Sequence, residues 1–346
     1  MGLDFAYLFA MLGTFVYVYA LTFDTRMIGF LSHYKFSVYL DFFPAFFLFI
    51  NGFTISLSLR NSRVSVRKVL SLINRRGLIL LVLGLLLCRV WNMNLLVLCG
   101  AMYVLAGLIA RWNNNVIMVI IILFMSAGHA MLMLGVPTSV TFVAPHVEKG
   151  IFMMLRFVFF NGYFSILPWC IFFLGGLLLG REDVRPRGIF PPSSIFGFLL
   201  IGLAFVAEKY FNLYDADFNP YSRINPAFLN VKFAMSGFVF FGMGSSIVAL
   251  NLLNYFFRKG SGEKIDIWVQ QISSTKYSAI FLHALLGFLM LKISNVHFFN
   301  PLPIRITMIV ISIPLIFVGL IYWKKKVNKI GPVEFVIKRI SDPNKK

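Results

Sequence analysis

The chain has 346 residues, 59% of them hydrophobic, and a formal net charge of +19. Its mean hydropathy is +0.83, which is more apolar surface than a soluble protein of this length can cover with polar side chains. The Lys and Arg residues are spread among the gaps between apolar runs, which excludes a nucleic-acid partner in favour of a membrane protein with topology-setting charges.

Apolar runs long enough to cross a ~30 Å hydrocarbon core as helix predict an all-α, polytopic bundle of about ten spans. They lie near 5–23, 42–59, 77–90, 94–110, 116–135, 163–180, 195–207, 233–257, 277–294 and 304–323. Two of these are short, so nine to eleven is the expected range. "IFMMLRFVFF" at 151–160 is too short to span and reads as an interfacial or re-entrant piece. Residues 1–323 form one membrane domain, and 324–346 a basic tail. Of the 32 Lys and Arg residues, 22 fall on the side of the termini and 10 on the other. This asymmetry predicts a multi-pass protein with both termini cytoplasmic. "MGLD" lacks a basic n-region, so the first span is expected to be retained.

In chain order, the first polar residues of interest are His33 in the first outer loop, Asp41 opening the second span and Asn51 near its middle. A neutral histidine beside a carboxylate is a general base with a fixed tautomer. The same residues also fit a headgroup-level loop histidine and an Asp helix cap. His129 lies in the outer half of the fifth span. His283 lies about 9 Å into the ninth, at ~1.5 Å per residue. Intramembrane ionisable groups are candidates for function, and single histidines bonded between helices are common. Outer loops 136–162 and 208–232 hold aromatic, amide and carboxylate side chains, which suit either a sugar or a solvated interface belt. Cys88, Cys99 and Cys170 read as packing residues, and no spacing favours a metal.

"HYKFSVYLDFFPAFFLFINGFTISLSLRNSR", "FSILPWCIFFLGGLLLGR" and "SSTKYSAIFLHALLG" together resemble the heparan-α-glucosaminide N-acetyltransferase family, in its bacterial form within the transmembrane acyltransferase superfamily. The likeness spans about residues 30–295. It implies transfer of an acyl group from cytoplasmic acyl-CoA, acetyl-CoA above all, to a glycan or amino sugar beyond the membrane. His33 matches the family's essential histidine and Asp41 its neighbour. Asn51, His129, Trp169 and His283 become candidates for lining a tunnel or binding substrate. The CoA phosphates would lie near Arg60, Arg63, Arg67, Lys68, Arg75, Arg76 and Arg181. The pantetheine arm would thread between the second, sixth and ninth spans.

One departure stands out, since the family's opening Asp-x-x-Arg-Gly meets Tyr7 and Leu8 after Asp4 here. A diverged site and a member without activity both fit that change. The expected setting is a bacterial inner membrane, with membrane lipids, the acceptor and, as an option, a second copy of the chain as partners. A transporter or flippase for a lipid-linked or small anionic solute is the alternative.

Overall fold

The computed structural model describes residues 1–23, 42–62, 65–88, 95–133, 159, 164, 166–182, 191–211, 236–257, 261–294, 302–327 and 330–341. Twelve helices occur among the described residues: α1 Gly2–Phe23, α2 Phe42–Asn61, α3 Val66–Cys88, α4 Leu95–Ile109, α5 Asn114–Met133 and α6 Ile166–Leu179. They are followed by α7 Pro192–Phe211, α8 Ser236–Phe256, α9 Glu263–Ser273, α10 Lys276–Ser294, α11 Leu302–Lys326 and α12 Pro332–Ser341. No strand occurs among the described residues. Among the described residues four helices are long and apolar enough to cross a membrane: Gly2–Tyr19, Phe42–Arg60, Val66–Cys88 and Gly237–Phe256. The molecule is therefore a helical membrane protein.

Its outer and inner faces differ as a bilayer solvent requires. Leu78, Val82 and Leu86 on α3, Val119, Ile122 and Leu123 on α5, and Phe196, Leu199 and Leu203 on α7 are exposed. In water such an apolar exterior would be an association surface. In lipid it costs nothing. The interior holds α2 almost whole, with Pro44 through Phe53 buried. Pro44 falls in the first turn of α2, where its missing N–H removes no helical bond.

Helices α3 and α4 pair as a hairpin, as do α7 and α8, while α2 lies along α6 and α1. With no hydrophobic force between helices in lipid, association relies on close packing through small residues. At the α2–α6 crossing, a Cβ on Gly52 would overlap the Phe173 carbonyl oxygen, and one on Gly176 the Phe49 carbonyl oxygen. Gly176 and Gly180 form a small-xxx-small pair on this seam. The cysteines match their expected packing role, being free and buried at 88, 99 and 170.

The tail is folded where it is described. Helix α12 buries Val333, Ile337 and Ser341 and packs on α3 and α10.

Candidate functional site

Four helices converge on the Asn51 side chain. α2 carries Asn51, α1 brings Tyr7, α4 brings Tyr103, and the start of α10 brings Lys276 and Tyr277. Asn51 is 1% exposed, and its Nδ2 donates to the Phe47 carbonyl at 2.8 Å. Its Oδ1 faces a ring of donors: Lys276 Nζ at 3.1 Å, the Tyr7 and Tyr277 hydroxyls at 3.3 Å and the Tyr103 hydroxyl at 3.4 Å. That ring fixes which way the amide points. Tyr277 also donates to the Tyr103 hydroxyl. Tyr7 has a second partner in Thr54 Oγ1 at 2.9 Å, and Thr54 donates to the Ile50 carbonyl at 2.7 Å.

Lys276 is partly buried, and its ammonium reaches inward to lie 3.6 Å from the centre of the Tyr7 ring. Among the described residues no carboxylate approaches it within 4.0 Å. Glu334, Asp4 and Arg76 act on it only at longer range. Removing an ammonium from water costs several kcal/mol. A charge-assisted hydrogen bond returns ~1.5–3 kcal/mol, and a desolvated cation–π contact ~2 kcal/mol. These magnitudes roughly cancel. Stability alone gives no reason for a lysine here, whereas ionisable groups among membrane helices mark substrate and ion paths.

The junction that delivers Lys276 is held from three sides. α9 ends at Ser273, and the chain turns through Ser274 and Thr275 into α10. Asp4 accepts from the Ser273 hydroxyl at 2.6 Å, and Lys324 Nζ donates to Ser274 Oγ at 2.6 Å. Glu334, from α12, accepts the N–H groups of Tyr277 at 2.7 Å and Ser278 at 3.1 Å. It therefore caps α10 from another helix, where the dipole favours a carboxylate. Ser278 answers by donating to Glu334 and accepting the Val333 N–H at 2.9 Å, so the two N-termini cap each other. Burial pushes the Glu334 carboxyl above its ordinary range, and the bonds from Ser278 and the backbone pull it part of the way back.

Of the sequence-predicted residues, Asn51 lies at the centre of this cluster. His33, Asp41 and Arg63 fall outside the described residues, as does the side chain of His129, whose backbone belongs to α5. Trp169 is fully buried in an aromatic core, with ring centroids 5.3 Å from Phe164 and 5.9 Å from Phe238. His283 is 4% exposed and stacks on Phe15 at 4.3 Å. Its carbonyl accepts from Tyr19 at 3.1 Å. It lines a small cavity with Thr14, Phe15 and Phe164.

Arg67, Lys68 and Arg76 are exposed on α3. Arg75 donates to the Ser341 carbonyl at 3.3 Å, and Arg60 to the Glu182 carbonyl at 2.9 Å. Arg181 serves the α4–α5 turn, donating to the carbonyls of Trp112 at 2.7 Å and Ala110 at 2.8 Å and to Asn114 Oδ1 at 2.6 Å. A cation on those last carbonyls is favoured by the helix dipole.

At Gly52 and Gly176 the α2 and α6 backbones are in contact, beside the path expected for the pantetheine arm. No chain can pass between α2 and α6 at that level. The polar interior lies where α1, α2, α4 and α10 meet. Sequence reasoning missed Tyr7, Tyr103, Lys276 and Tyr277. One signal was present: Lys276 directly precedes the run "YSAIFLHALLGFLML" without a spacer. Among the described residues no group of three His, Cys, Asp or Glu is arranged for a metal. Comparison with family models, curated proteins and solved structures finds no match to this chain.

Proposed function

We propose that the chain is a membrane-embedded acyltransferase, moving an acyl group, acetyl in the simplest case, from cytoplasmic acyl-CoA to a glycan or amino sugar on the outer side. The observation that carries this reading is the donor ring on Asn51. Preorganised N–H and O–H groups in a water-excluded site stabilise a developing oxyanion far better than water does.

In this reading the bundle crosses the membrane ten times with both termini cytoplasmic. The 22-to-10 distribution of Lys and Arg supports that topology, and the four long apolar helices support the membrane setting. The start of α10 and the end of α2 then face the cytoplasm. Exposed Arg67, Lys68 and Arg76 offer charges to the CoA phosphates. His33 faces outside, where it deprotonates the acceptor or carries the acyl group transiently, with Asp41 orienting it.

The test is acyl transfer in sealed proteoliposomes, with labelled acetyl-CoA on the cytoplasmic face and glucosamine on the other. Wild type should acetylate the amine, and His33→Ala should lower the rate by roughly 10²–10⁴ while keeping its stabilisation by acetyl-CoA. Full activity in His33→Ala would remove that residue from the reaction. Passage of an intact anionic solute without acyl transfer would make the protein a transporter or flippase.

A further inference from the structure

The N–H and O–H bonds around Asn51 outnumber what its carbonyl oxygen can accept, and the surplus lies on the Lys276 ammonium. That oxygen has two lone pairs, yet Lys276 Nζ and three tyrosine hydroxyls stand within 3.4 Å of it. Tyr7 has Thr54 as a nearer partner. The Tyr103 and Tyr277 hydroxyls are bonded to each other, so one of their two protons remains for a further acceptor. The Lys276 ammonium carries three N–H donors, and Asn51 is the one hydrogen-bond acceptor the described residues give it.

We propose that Lys276 and the Tyr103 hydroxyl, with Tyr277 donating to Tyr103 behind it, form a binding site for a single oxyanion inside the bundle. The identity of that oxyanion as the acyl group's own oxygen rests on the acyltransferase reading; the site itself does not.

Charge sets the ligand class. One ammonium, with no carboxylate bonded to it among the described residues, balances one negative charge. The rings of Tyr7 and Tyr277 lie beside the ammonium and Tyr103 packs edge-on against Tyr277, and among the described residues no second cation is bonded to this group. Arg76 is exposed on α3 and felt only at longer range. A monoanion therefore fits: a carboxylate, a phosphodiester or the oxyanion of an acyl carbonyl. A polyphosphate does not, and belongs with the exposed arginines. Lysine suits this task as a compact point charge, and the Tyr103 hydroxyl, from α4, adds direction. Bound there, the oxyanion would bridge the two helices beside Asn51 on α2.

The experiment is thermal unfolding of the purified full chain in phosphatidylcholine nanodiscs, at ionic strength fixed with chloride. Acetate, inorganic phosphate, CoA and acetyl-CoA are titrated separately. A parallel set of discs contains phosphatidylglycerol. Ligand that binds only the folded state raises the midpoint with concentration. Wild type should shift with acetate or acetyl-CoA if the oxyanion comes from a soluble donor, and with phosphatidylglycerol if it comes from a lipid headgroup. Lys276→Met should lose that shift, Tyr103→Phe should lose about half of it, and Tyr277→Phe should lose less.

An equal shift in Lys276→Met overturns the proposal, as does the absence of any shift in wild type beyond chloride. Should Lys276→Met fail to fold, Tyr103→Phe decides: a shift equal to wild type overturns the site. Anion shifts without acyl transfer would overturn the enzyme reading alone. Transfer without anion shifts would overturn this site alone.

Discussion

Asn51 and Gly52 are neighbours in the chain, about 100° apart around α2, and they face opposite chemistries. Gly52 lies against the α6 backbone, where no side-chain atom fits. Asn51 meets a lysine and three tyrosines drawn from three other helices. The first face is dry packing that fixes where α2 lies. The second is a polar interior whose position depends on that packing. One helix therefore both holds the bundle together and presents its polar centre, and substitutions on the two faces should fail in different ways.

Filling the packed face should do the most damage. Gly52→Leu puts a side chain onto a backbone carbonyl. Overpacking typically costs ~1–3 kcal/mol where side chains can give way, and a backbone has less room to move. The expected outcome is loss of folded, monodisperse protein on size-exclusion chromatography. A well-folded Gly52→Leu would mean that α2 and α6 do not touch as described.

Asn51→Leu should come next. It leaves the ammonium and the hydroxyls without their common acceptor, a penalty of about 1–3 kcal/mol. Denaturation should show this, and the surviving protein should transfer acyl groups poorly. An Asn51→Leu protein as stable and active as wild type would reduce the polar face to ordinary packing.

Arg181→Ala lies away from both faces and sharpens the contrast. It removes three hydrogen bonds to the α4–α5 turn and should lower stability by roughly 1.5 kcal/mol. Stabilisation by acetyl-CoA should be unchanged. A lost acetyl-CoA response would restore Arg181 as a phosphate ligand.

The smallest effect concerns the α10–α12 cap. Burial makes Glu334 ionise at higher pH when folded than the ordinary 4.5. The folded state then binds more protons just above that value, so this group's contribution to stability falls as pH rises through the window. Glu334→Gln should flatten that part of the profile measured by thermal unfolding. An unchanged slope would show that the carboxyl is not buried in this cap.

The helical membrane character was legible because bilayer thickness and apolar run length are tied by one number, the helical rise, whereas of the ten expected spans four among the described residues are long and apolar enough. Asn51 was legible as well, since an amide in the middle of an apolar run is costly without partners. Those partners were not. Tyr7 and Tyr277 are separated by most of the chain, and tyrosines are common at membrane interfaces for reasons unrelated to any site. Lys276 fell within a basic stretch that reads as a topology signal, and its place directly before an apolar run and its inward reach distinguish it from Lys264. Arg181 shows the converse. Its position suggested a phosphate ligand, while its bonds go to carbonyls at the end of a neighbouring helix, a pairing set by the turn at 110–114 rather than by its own surroundings.

The polar face is most directly tested by the acyl-transfer rate per folded molecule of Lys276→Met, measured beside its unfolding midpoint. Methionine keeps the length of the stem and removes the charge whose burial is costly. The expected result is a protein at least as stable as wild type, with turnover reduced by about 10²–10³, the loss typical of removing one oxyanion donor. A destabilised protein whose folded molecules turn over at the wild-type rate would contradict it, and would make Lys276 a structural residue.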